Sequence, residues 1–310
     1  MKNIRISWII PVYNSGAFLT EALESILNCP CADIVHEILL INDCSTDAVT
    51  IELINHWAKS PYVTVINQIK NSGPARARNA GLNAASGDWL AFLDADDVVA
   101  PRSIEARIIE IKRCPEMKWI VGDMLETRIP GQHSHLNSFP KAVQDGEEIT
   151  SGLYKICNPT QAIADWGMLP FLGSMMIRRD LLAQAGPLKE DLIYGEDIHF
   201  CLVLSCFADL YWINRPVLYL RRYHESMTKD LVKGATEAPK ASLACIQDPR
   251  LKLIKKQMRW HYAANLRQSS GVFLQHGLRL KAVTYAARAI LWSPNDSRGA
   301  KALLRCLVMR

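Results

Sequence analysis

Short apolar runs that alternate with helical patterns constrain the fold of this 310-residue chain more than any other feature. The first run, Ile4–Val12, is almost continuously apolar, which is typical of a strand buried on both faces of a parallel sheet. Further runs predict the next three strands, at Glu37–Ile41, Tyr62–Ile66 and Trp89–Leu93. Because helical patterns separate the four runs, we expect a mostly parallel, doubly wound α/β sheet flanked by helices.

Acidic side chains follow two of these strands directly. Asp43 comes after the second run, and Asp94, Asp96 and Asp97 come after the fourth. Ligands of such sheets bind beyond the carboxyl ends of the strands, so we expect both groups to face one site. Three carboxylates in four residues repel one another unless a cation or solvent relieves them, and hard oxygen ligands suit Mg²⁺ or Mn²⁺. The simpler alternative is a solvated turn that caps a helix beginning near Pro101.

Two common nucleotide-binding patterns are missing from the sequence. The first strand leads into Asn14-Ser15-Gly16, which is not the GxGxxG turn of dinucleotide-binding folds, and no GxxxxGK[ST] segment occurs. An oxidoreductase of that type and a P-loop enzyme are therefore disfavoured. A nucleotide would have to be held in another way, and a metal bound by Asp96 offers one.

Composition indicates a globular chain with a substantial core, since 49% of residues are hydrophobic and 22% are charged. The nine cysteines have no metal-binding spacing, which suits free thiols in a reducing compartment. The sequence shows no signal-peptide pattern and no apolar run of the ~18 residues that a membrane span needs. We therefore expect a cytoplasmic protein.

Charge is distributed unevenly along the chain. Residues 240–310 hold fourteen Lys and Arg but only two acids, a net +12, so residues 1–239 carry −7 of the overall +5. This tail also has a helical apolar stripe that runs from Leu278 to Trp292. Two interpretations stay open: a helix lying on an anionic membrane surface, or a helical cap packed on the rest of the protein. No recognised module supports nucleic-acid binding.

Four ordered blocks of the first hundred residues resemble family 2 glycosyltransferases: Ile9–Asn14, Leu40–Asp47, Asn71–Gly81 and Gly87–Asp97. The resemblance covers roughly residues 4–228. It implies a GT-A fold, a nucleotide-diphosphate-sugar donor, a divalent metal (Mn²⁺ or Mg²⁺) and inversion at the anomeric carbon.

The resemblance also implies which residues bind the donor. Asp43 would accept a hydrogen bond from the base, as uracil N3–H could supply, Arg78 would lie near the diphosphate, and Asp96 would ligate the metal directly. The implied donor-binding residues are Pro11, Tyr13, Asn14, Asp43, Arg78, Asp94 and Ala95. Asn42 and Cys44 depart from the family pattern, which commonly has Asp and Gly there, so uridine is the expected base but Cys44 leaves the choice of base open.

In the second half, Glu196-Asp197 resembles the ED motif of the family, which makes Asp197 the expected general base. Glu196 and Gly173 would contact the acceptor, with Gly173 allowing a sugar close to the backbone. His224 would be a further metal ligand, and Arg221 or Arg222 a phosphate contact. The dull interpretation of Glu196-Asp197 is an acidic helix N-terminus, which is common.

These inferences predict a catalytic domain at residues 1–228, with a nucleotide-sugar half at 1–117 and an acceptor half at 118–228. A linker at 229–241 and a basic helical extension at 242–310 would follow. The expected reaction is inverting sugar transfer from a UDP-sugar to a cell-surface glycan, such as a polysaccharide or lipopolysaccharide, or to a lipid-linked acceptor at the inner membrane face. The alternatives are a nucleotidyltransferase and a non-catalytic nucleotide-sugar-binding protein.

Overall fold

A computed structural model describes residues 3–29, 34–129, 132–136, 146–166, 170–222 and 230–308. Its centre is an eleven-stranded sheet with strands in the order β3-β2-β1-β4-β10-β6-β11-β9-β8, with β5 pairing to β11 and β7 to β6. The strands are β1 (Ile4–Val12), β2 (Ile34–Asn42), β3 (Val63–Asn67), β4 (Trp89–Phe92), β5 (Val98–Val99), β6 (Trp119–Ile129), β7 (Gln132–Leu136), β8 (Glu147–Thr150), β9 (Leu153–Ile156), β10 (Met175–Arg178) and β11 (Leu210–Arg221).

The first four strands form the parallel part of the sheet that the sequence predicts. β1 lies between β2 and β4 and is parallel to both, and β2 is parallel to β3. The strand starts and ends lie within three residues of those predicted. β10 runs antiparallel between β4 and β6, so it joins the parallel part to the second half of the sheet.

Helices cover both faces of the sheet. The α-helices among the described residues up to 222 are α1 (Phe18–Leu27), α2 (Ala48–Trp57), α3 (Pro74–Ala84), α4 (Ser103–Arg113), α5 (Pro159–Trp166), α6 (Arg179–Ala185) and α7 (Glu196–Leu204). Side chains of α1, α2 and α4 pack with Trp8 and Ile10 on one face, and those of α3, α6 and α7 pack with Ile9 and Phe92 on the other. The predicted fold class, a mostly parallel sheet flanked by helices, is confirmed.

Local chemistry explains where two of these helices begin and how close they pack. Asp47 caps α2 by accepting a hydrogen bond from the Thr50 backbone N–H at 2.8 Å. Pro74 opens α3, where its missing N–H costs nothing. A Cβ on Gly81 would lie 2.7 Å from Ile41 Cδ1, so only glycine allows α3 this close to the sheet.

The C-terminal part is helical, as predicted, but it begins earlier than predicted. Its helices are α8 (Leu231–Gln247), α9 (Lys255–Gln275), α10 (Arg279–Trp292) and α11 (Ser297–Val308), with a 3₁₀ segment at Pro249–Ile254. The predicted linker at 229–241 is therefore wrong from Leu231 onward. Gly234 and Pro239 argue against a helix by propensity, but α8 buries Ala235, Ala241 and Ala244, and tertiary packing outweighs propensity.

The C-terminal helices share the core of the rest of the chain. Cys245, Leu251, Tyr262 and Leu266 belong to the same buried cluster as the α3 face of the sheet. The arrangement is thus that of a helical cap packed on the preceding α/β part of the chain, one of the two interpretations of the basic tail. Within the described residues, no helix is both long and apolar enough to cross a membrane.

Candidate functional site

A cleft of about 580 Å³ opens at the carboxyl ends of β1, β2 and β4, which is within the usual size range of small-molecule sites. Residues from both halves of the sequence line it. Among those that the sequence predicted are Pro11, Tyr13, Asn14, Asp43, Arg78, Asp94, Ala95, Asp96, Glu196 and Asp197. The structure therefore brings together, at one place, side chains that lie up to 186 positions apart in the sequence (Pro11 to Asp197).

The loops after β1 and β2 are tied together by Asn14. Its side-chain oxygen accepts hydrogen bonds from the backbone N–H groups of Thr46 at 2.8 Å and Asp47 at 3.0 Å. Asn14 itself has φ +49°, a conformation that asparagine tolerates better than most residues. Tyr13, next to it, keeps half of its surface exposed at the mouth of the cleft. The two loops are thus held together, and the Tyr13 side chain is accessible to a ligand.

Asp43 is buried and holds the loop that leads into α3. Its two carboxylate oxygens accept hydrogen bonds from the backbone N–H groups of Ser72 and Gly73, each at 2.8 Å. Each oxygen of a carboxylate has two lone pairs, so these bonds leave capacity for a base N–H. The side chain therefore positions one wall of the cleft and also faces into it.

The two departures from the family pattern have local explanations. Asn42 Oδ1 accepts a hydrogen bond from Ser45 N at 2.9 Å, as an aspartate would, and its amide donates to Asn67 Oδ1 at 2.9 Å. Cys44 stands with φ +60°, in the left-handed region that favours glycine, and its thiol lies 3.0 Å from the carbonyl oxygen of Gln68. The turn after β2 thus keeps a glycine-like backbone although it carries a side chain.

Three aspartates meet where β4 ends. Asp94, Asp96 and Asp97 each place a carboxylate oxygen within 4.8 Å of the others. Burial is the main cause that raises the pKa of Asp97 well above its usual value, and the charges of Asp94 and Asp96 raise it further. The backbone N–H of Arg221 donates to Asp97 Oδ1 at 2.9 Å. Hard carboxylate oxygens this close to one another fit a divalent cation such as Mg²⁺ or Mn²⁺, which would relieve the repulsion.

Arg78 connects the aspartate cluster to the second half of the chain. Its Nη2 donates to Asp94 Oδ1 at 2.7 Å and its Nη1 donates to Glu196 Oε1 at 2.9 Å. The Arg78 side chain is only 7% exposed, so it is not the helix-surface charge that its position on α3 alone would suggest. Both terminal nitrogens of Arg78 thus donate hydrogen bonds to carboxylates of the cleft, one from each half of the sequence.

Glu196 and Asp197 begin α7 and have perturbed acidities. Burial is the main cause that raises the pKa of Glu196 to about 7, while Arg78 acts in the opposite direction. Burial likewise raises the pKa of Asp197, although its Oδ1 accepts a hydrogen bond from Ile198 N at 2.8 Å. Carboxylates perturbed by burial in a cleft are typical of functional sites.

Gly173 lies in a small pocket that adjoins the cleft, beside Arg78, Glu196 and Asp197. A Cβ on Gly173 would lie 2.9 Å from Leu218 Cδ2, so the glycine also makes room for Leu218. Its expected contact with the acceptor stays a prediction. His224, the other expected metal ligand, lies outside the described residues.

Several residues that line the cleft were not predicted from the sequence. They include Phe18, Phe171 and Tyr194. Tyr194 stands two positions before Glu196, and that closeness to the ED motif was the one available signal. The two phenylalanines carry no local signal, because apolar residues are usually core residues.

Comparison with known proteins supports this description. Residues 7–139 match the model of Glycosyl transferase family 2. The chain is 29% identical over 219 residues to an uncharacterized glycosyltransferase of Haemophilus influenzae, covering 69% of this chain and 67% of that protein. It is 38% identical over 105 residues to the succinoglycan biosynthesis protein ExoO of Rhizobium meliloti, covering 34% of this chain and 29% of ExoO. The chain spans 21% and 40% of the full length of two further relatives.

Among solved structures, S. aureus TarS 1-349 in complex with UDP-GlcNAc superimposes with a TM-score of 0.66 at 17% identity, covering 99% of this chain and 87% of that one. At this identity the likeness establishes the fold. With the family match over residues 7–139 and the named relatives, it confirms the resemblance of the four sequence blocks to family 2 glycosyltransferases. Residues 7–139 thus match Glycosyl transferase family 2, and the chain has the GT-A fold.

Proposed function

We propose that this protein is an inverting glycosyltransferase that moves a sugar from a UDP-sugar to a hydroxyl group of a cell-surface glycan or a lipid-linked acceptor. The observation that carries the proposal is the single cleft that holds both the Asp94–Asp97 cluster and Asp197. The aspartate cluster would bind the metal and, through it, the diphosphate, and Asp197 would be the general base.

In the proposed reaction, the Asp197 carboxylate takes the proton of the acceptor hydroxyl. The acceptor oxygen then forms a bond to the anomeric carbon from the face opposite the nucleotide. The bond from that carbon to the diphosphate oxygen breaks, and its electron pair leaves with UDP. A positioned base of this kind typically contributes ~10²–10⁴-fold to the rate.

Asp96 would hold the cation directly, with Asp94 and Asp97 as neighbouring oxygen donors within 4.8 Å. When bound, a divalent cation neutralises charge on the departing diphosphate. Arg78 keeps Asp94 in place through a 2.7 Å hydrogen bond, which orients the cluster before the donor arrives. Asp43 would select the base by accepting a hydrogen bond from uracil N3–H.

Names of the related proteins support the donor and acceptor classes. TarS was solved with UDP-GlcNAc, and ExoO is named for succinoglycan biosynthesis. For this chain we propose a UDP-sugar donor and an acceptor in cell-surface glycan synthesis, presented at the inner face of the cell membrane.

The helical hairpin formed by α10 and α11 has features that support contact with an anionic membrane. Arg279 donates hydrogen bonds to the backbone oxygens of Cys306 and Leu307, so the start of α10 meets the end of α11. This brings Leu280, which is 82% exposed, to the same end as the exposed Leu304 and Leu307. Exposed Lys281, Lys301 and Arg305 flank these leucines. Apolar side chains bordered by cations suit the surface of an anionic bilayer.

Co-sedimentation with phosphatidylcholine vesicles, with and without phosphatidylglycerol, tests this contact. Because Leu251 and Tyr262 are core residues, point substitutions are preferable to truncation. We expect L304E/L307E to weaken binding to the anionic vesicles, whereas L253E, at a leucine that is 82% exposed elsewhere, should not. Equal pelleting of both variants with the wild type would rule the contact out.

Calorimetric titration of UDP tests the central proposal. We expect binding with Mn²⁺ that is lost with EDTA and in Asp96→Asn but kept in Asp197→Asn. A panel of UDP-sugars that includes UDP-GlcNAc would then be assayed for UDP release, and Asp197→Asn should reduce turnover by roughly 10²–10⁴-fold. If GDP or another nucleoside diphosphate binds instead of UDP, only the proposed base of the donor is wrong. If a folded protein binds no nucleoside diphosphate, the proposed activity is wrong.

A further inference from the structure

The turn that carries Glu196 and Asp197 rests against a helix from the C-terminal part of the chain. Gly195, directly before Glu196, has φ +76° and forms the N-cap of α7 without a capping side chain. A Cβ placed on Gly195 would lie 2.6 Å from the Cβ of Ala241 on α8. The backbone at the start of α7 and the side chain of α8 are therefore packed as closely as atoms allow.

A second contact holds the other side of the same turn. His199, one helical turn beyond Gly195, has its Nε2 3.0 Å from Asp248 Oδ2, just after α8. Both side chains are only 7% exposed. Arg250 donates from Nε to Asp248 Oδ1 at 2.9 Å and from Nη2 to Asp248 Oδ2 at 2.6 Å, which fixes the carboxylate that His199 meets.

A third link is electrostatic. Tyr194 lines the cleft, and the negative charges of Asp230 and Glu237, at the beginning and middle of α8, act on it. Burial and then these two negative charges raise the pKa of the Tyr194 hydroxyl. α8 and the segment after it therefore contact residues 195 and 199, on both sides of Glu196-Asp197.

We propose that the C-terminal helices, through Ala241 and Asp248, position the catalytic turn, and that Ala241, His199 and Asp248 are positioning residues for the base Asp197. The inference rests on the proposed role of Asp197. It adds that the tail, where the family resemblance fades, is part of the catalytic apparatus. A misplacement of about 1 Å at a reacting group can reduce a rate by ~10²-fold, so a small shift of α7 is enough to matter.

The matched pair Ala241→Val and Ala244→Val tests the proposal. Both alanines are buried on α8 in one small apolar cluster with Leu192, but only the Ala241 Cβ opposes Gly195. With wild-type UDP-sugar turnover measured as UDP release, we expect Ala241→Val to reduce kcat by roughly 10- to 100-fold. KM for the donor and the calorimetric Kd for UDP should stay near wild type. Ala244→Val should keep kcat within about threefold, since it lacks the contact.

A rescue experiment separates positioning from general damage to the fold. Gly195→Ala introduces the Cβ that collides with Ala241, and Ala241→Gly removes the atom it collides with. We expect the double variant to recover part of the kcat lost in Gly195→Ala, as coupled neighbours do in a double-mutant cycle. Asp248→Asn should likewise lower kcat without changing the Kd for UDP.

Hydrogen–deuterium exchange of the free protein gives a readout that does not need activity. We expect faster exchange at residues 196–200 in Ala241→Val and Asp248→Asn than in Ala244→Val. If the wild type shows no turnover, or if Asp197→Asn does not reduce turnover, the proposed function fails. The exchange data would still show whether the C-terminal helices stabilise the turn at Glu196-Asp197. Equal kcat and equal exchange in Ala241→Val and Ala244→Val would overturn the inference.

Discussion

Arg78 Nη1 lies 2.9 Å from Glu196 Oε1, and the two buried residues are 118 positions apart in the sequence. Their side chains are 7% and 10% exposed. The pair joins α3, which follows the donor-binding loops, to α7, which carries the expected base. It is therefore a direct physical link between the proposed donor site and the proposed base.

Replacement of Arg78 by methionine should destabilise the protein by about 3–5 kcal/mol, because breaking a buried ion pair leaves uncompensated charges. Arg76→Met is the matched control on the same helix, since Arg76 pairs with Glu190 at 3.3 Å and both side chains are about half exposed. A surface pair of this kind contributes ~0–1 kcal/mol. Urea unfolding of both variants measures the difference, and equal midpoints would contradict the importance of the buried pair.

The pH dependence of turnover should reveal the base. Asp197 must be deprotonated to accept a proton, and burial raises its pKa in the folded protein. We therefore expect kcat/KM to rise with pH along a limb centred above the ~3.9 of an ordinary aspartate. The positive charge of Arg78 lowers the pKa of Asp197, so Arg78→Met should move that limb to higher pH. A limb at the ordinary value in the wild type would argue against Asp197 as the base.

Asp97→Asn should stabilise the metal-free protein at neutral pH. Because the folded-state pKa of Asp97 is raised above its unfolded value, folded protein binds more protons, and stability falls as pH rises through that interval. Asparagine resembles the protonated form and can still accept the Arg221 N–H bond. Thermal unfolding with and without Mn²⁺ measures two effects: a higher Tm without metal, and a smaller rise in Tm when Mn²⁺ is added. An unchanged response to Mn²⁺ would remove Asp97 from the cation site.

Cys44→Gly should be more stable than Cys44→Ala. Cys44 has φ +60°, where a residue with a Cβ is strained by roughly 1–2 kcal/mol and glycine is not. Alanine keeps the strain and loses the thiol contact with the Gln68 carbonyl, whereas glycine removes the strain. Thermal unfolding of both variants provides the comparison, and a lower Tm for Cys44→Gly than for Cys44→Ala would show that a side chain at this φ does not strain the turn.

The parallel half of the fold was predictable because its signals are local. Continuous apolar runs such as Ile4–Val12 can be buried only between two helical layers, and the acids that follow them must lie at one edge of the sheet. The structure accordingly places Asp43 and the Asp94–Asp97 cluster in one cleft. Here the residue pattern predicts the strand order, and the strand order predicts where the cleft lies.

The remainder depended on contacts that a sequence pattern does not encode. Gly234 and Pro239 favour a linker over a helix at α8, because helix propensity does not include the burial of the alanine face of the helix. The close approach of Leu218 to Gly173 and the partners of Arg78 are equally non-local. What could not be predicted was which distant elements would share a surface.

The reversed strand β10 has a consequence for how such proteins diversify. It lies between β4 and β6, so within the sheet the parallel unit β3-β2-β1-β4 meets the second half through only three paired positions between β4 and β10. Changes beyond these positions leave the registers within the unit untouched. We therefore expect the residues beyond β10 to vary with the acceptor, while the parallel unit β3-β2-β1-β4 keeps its strand registers.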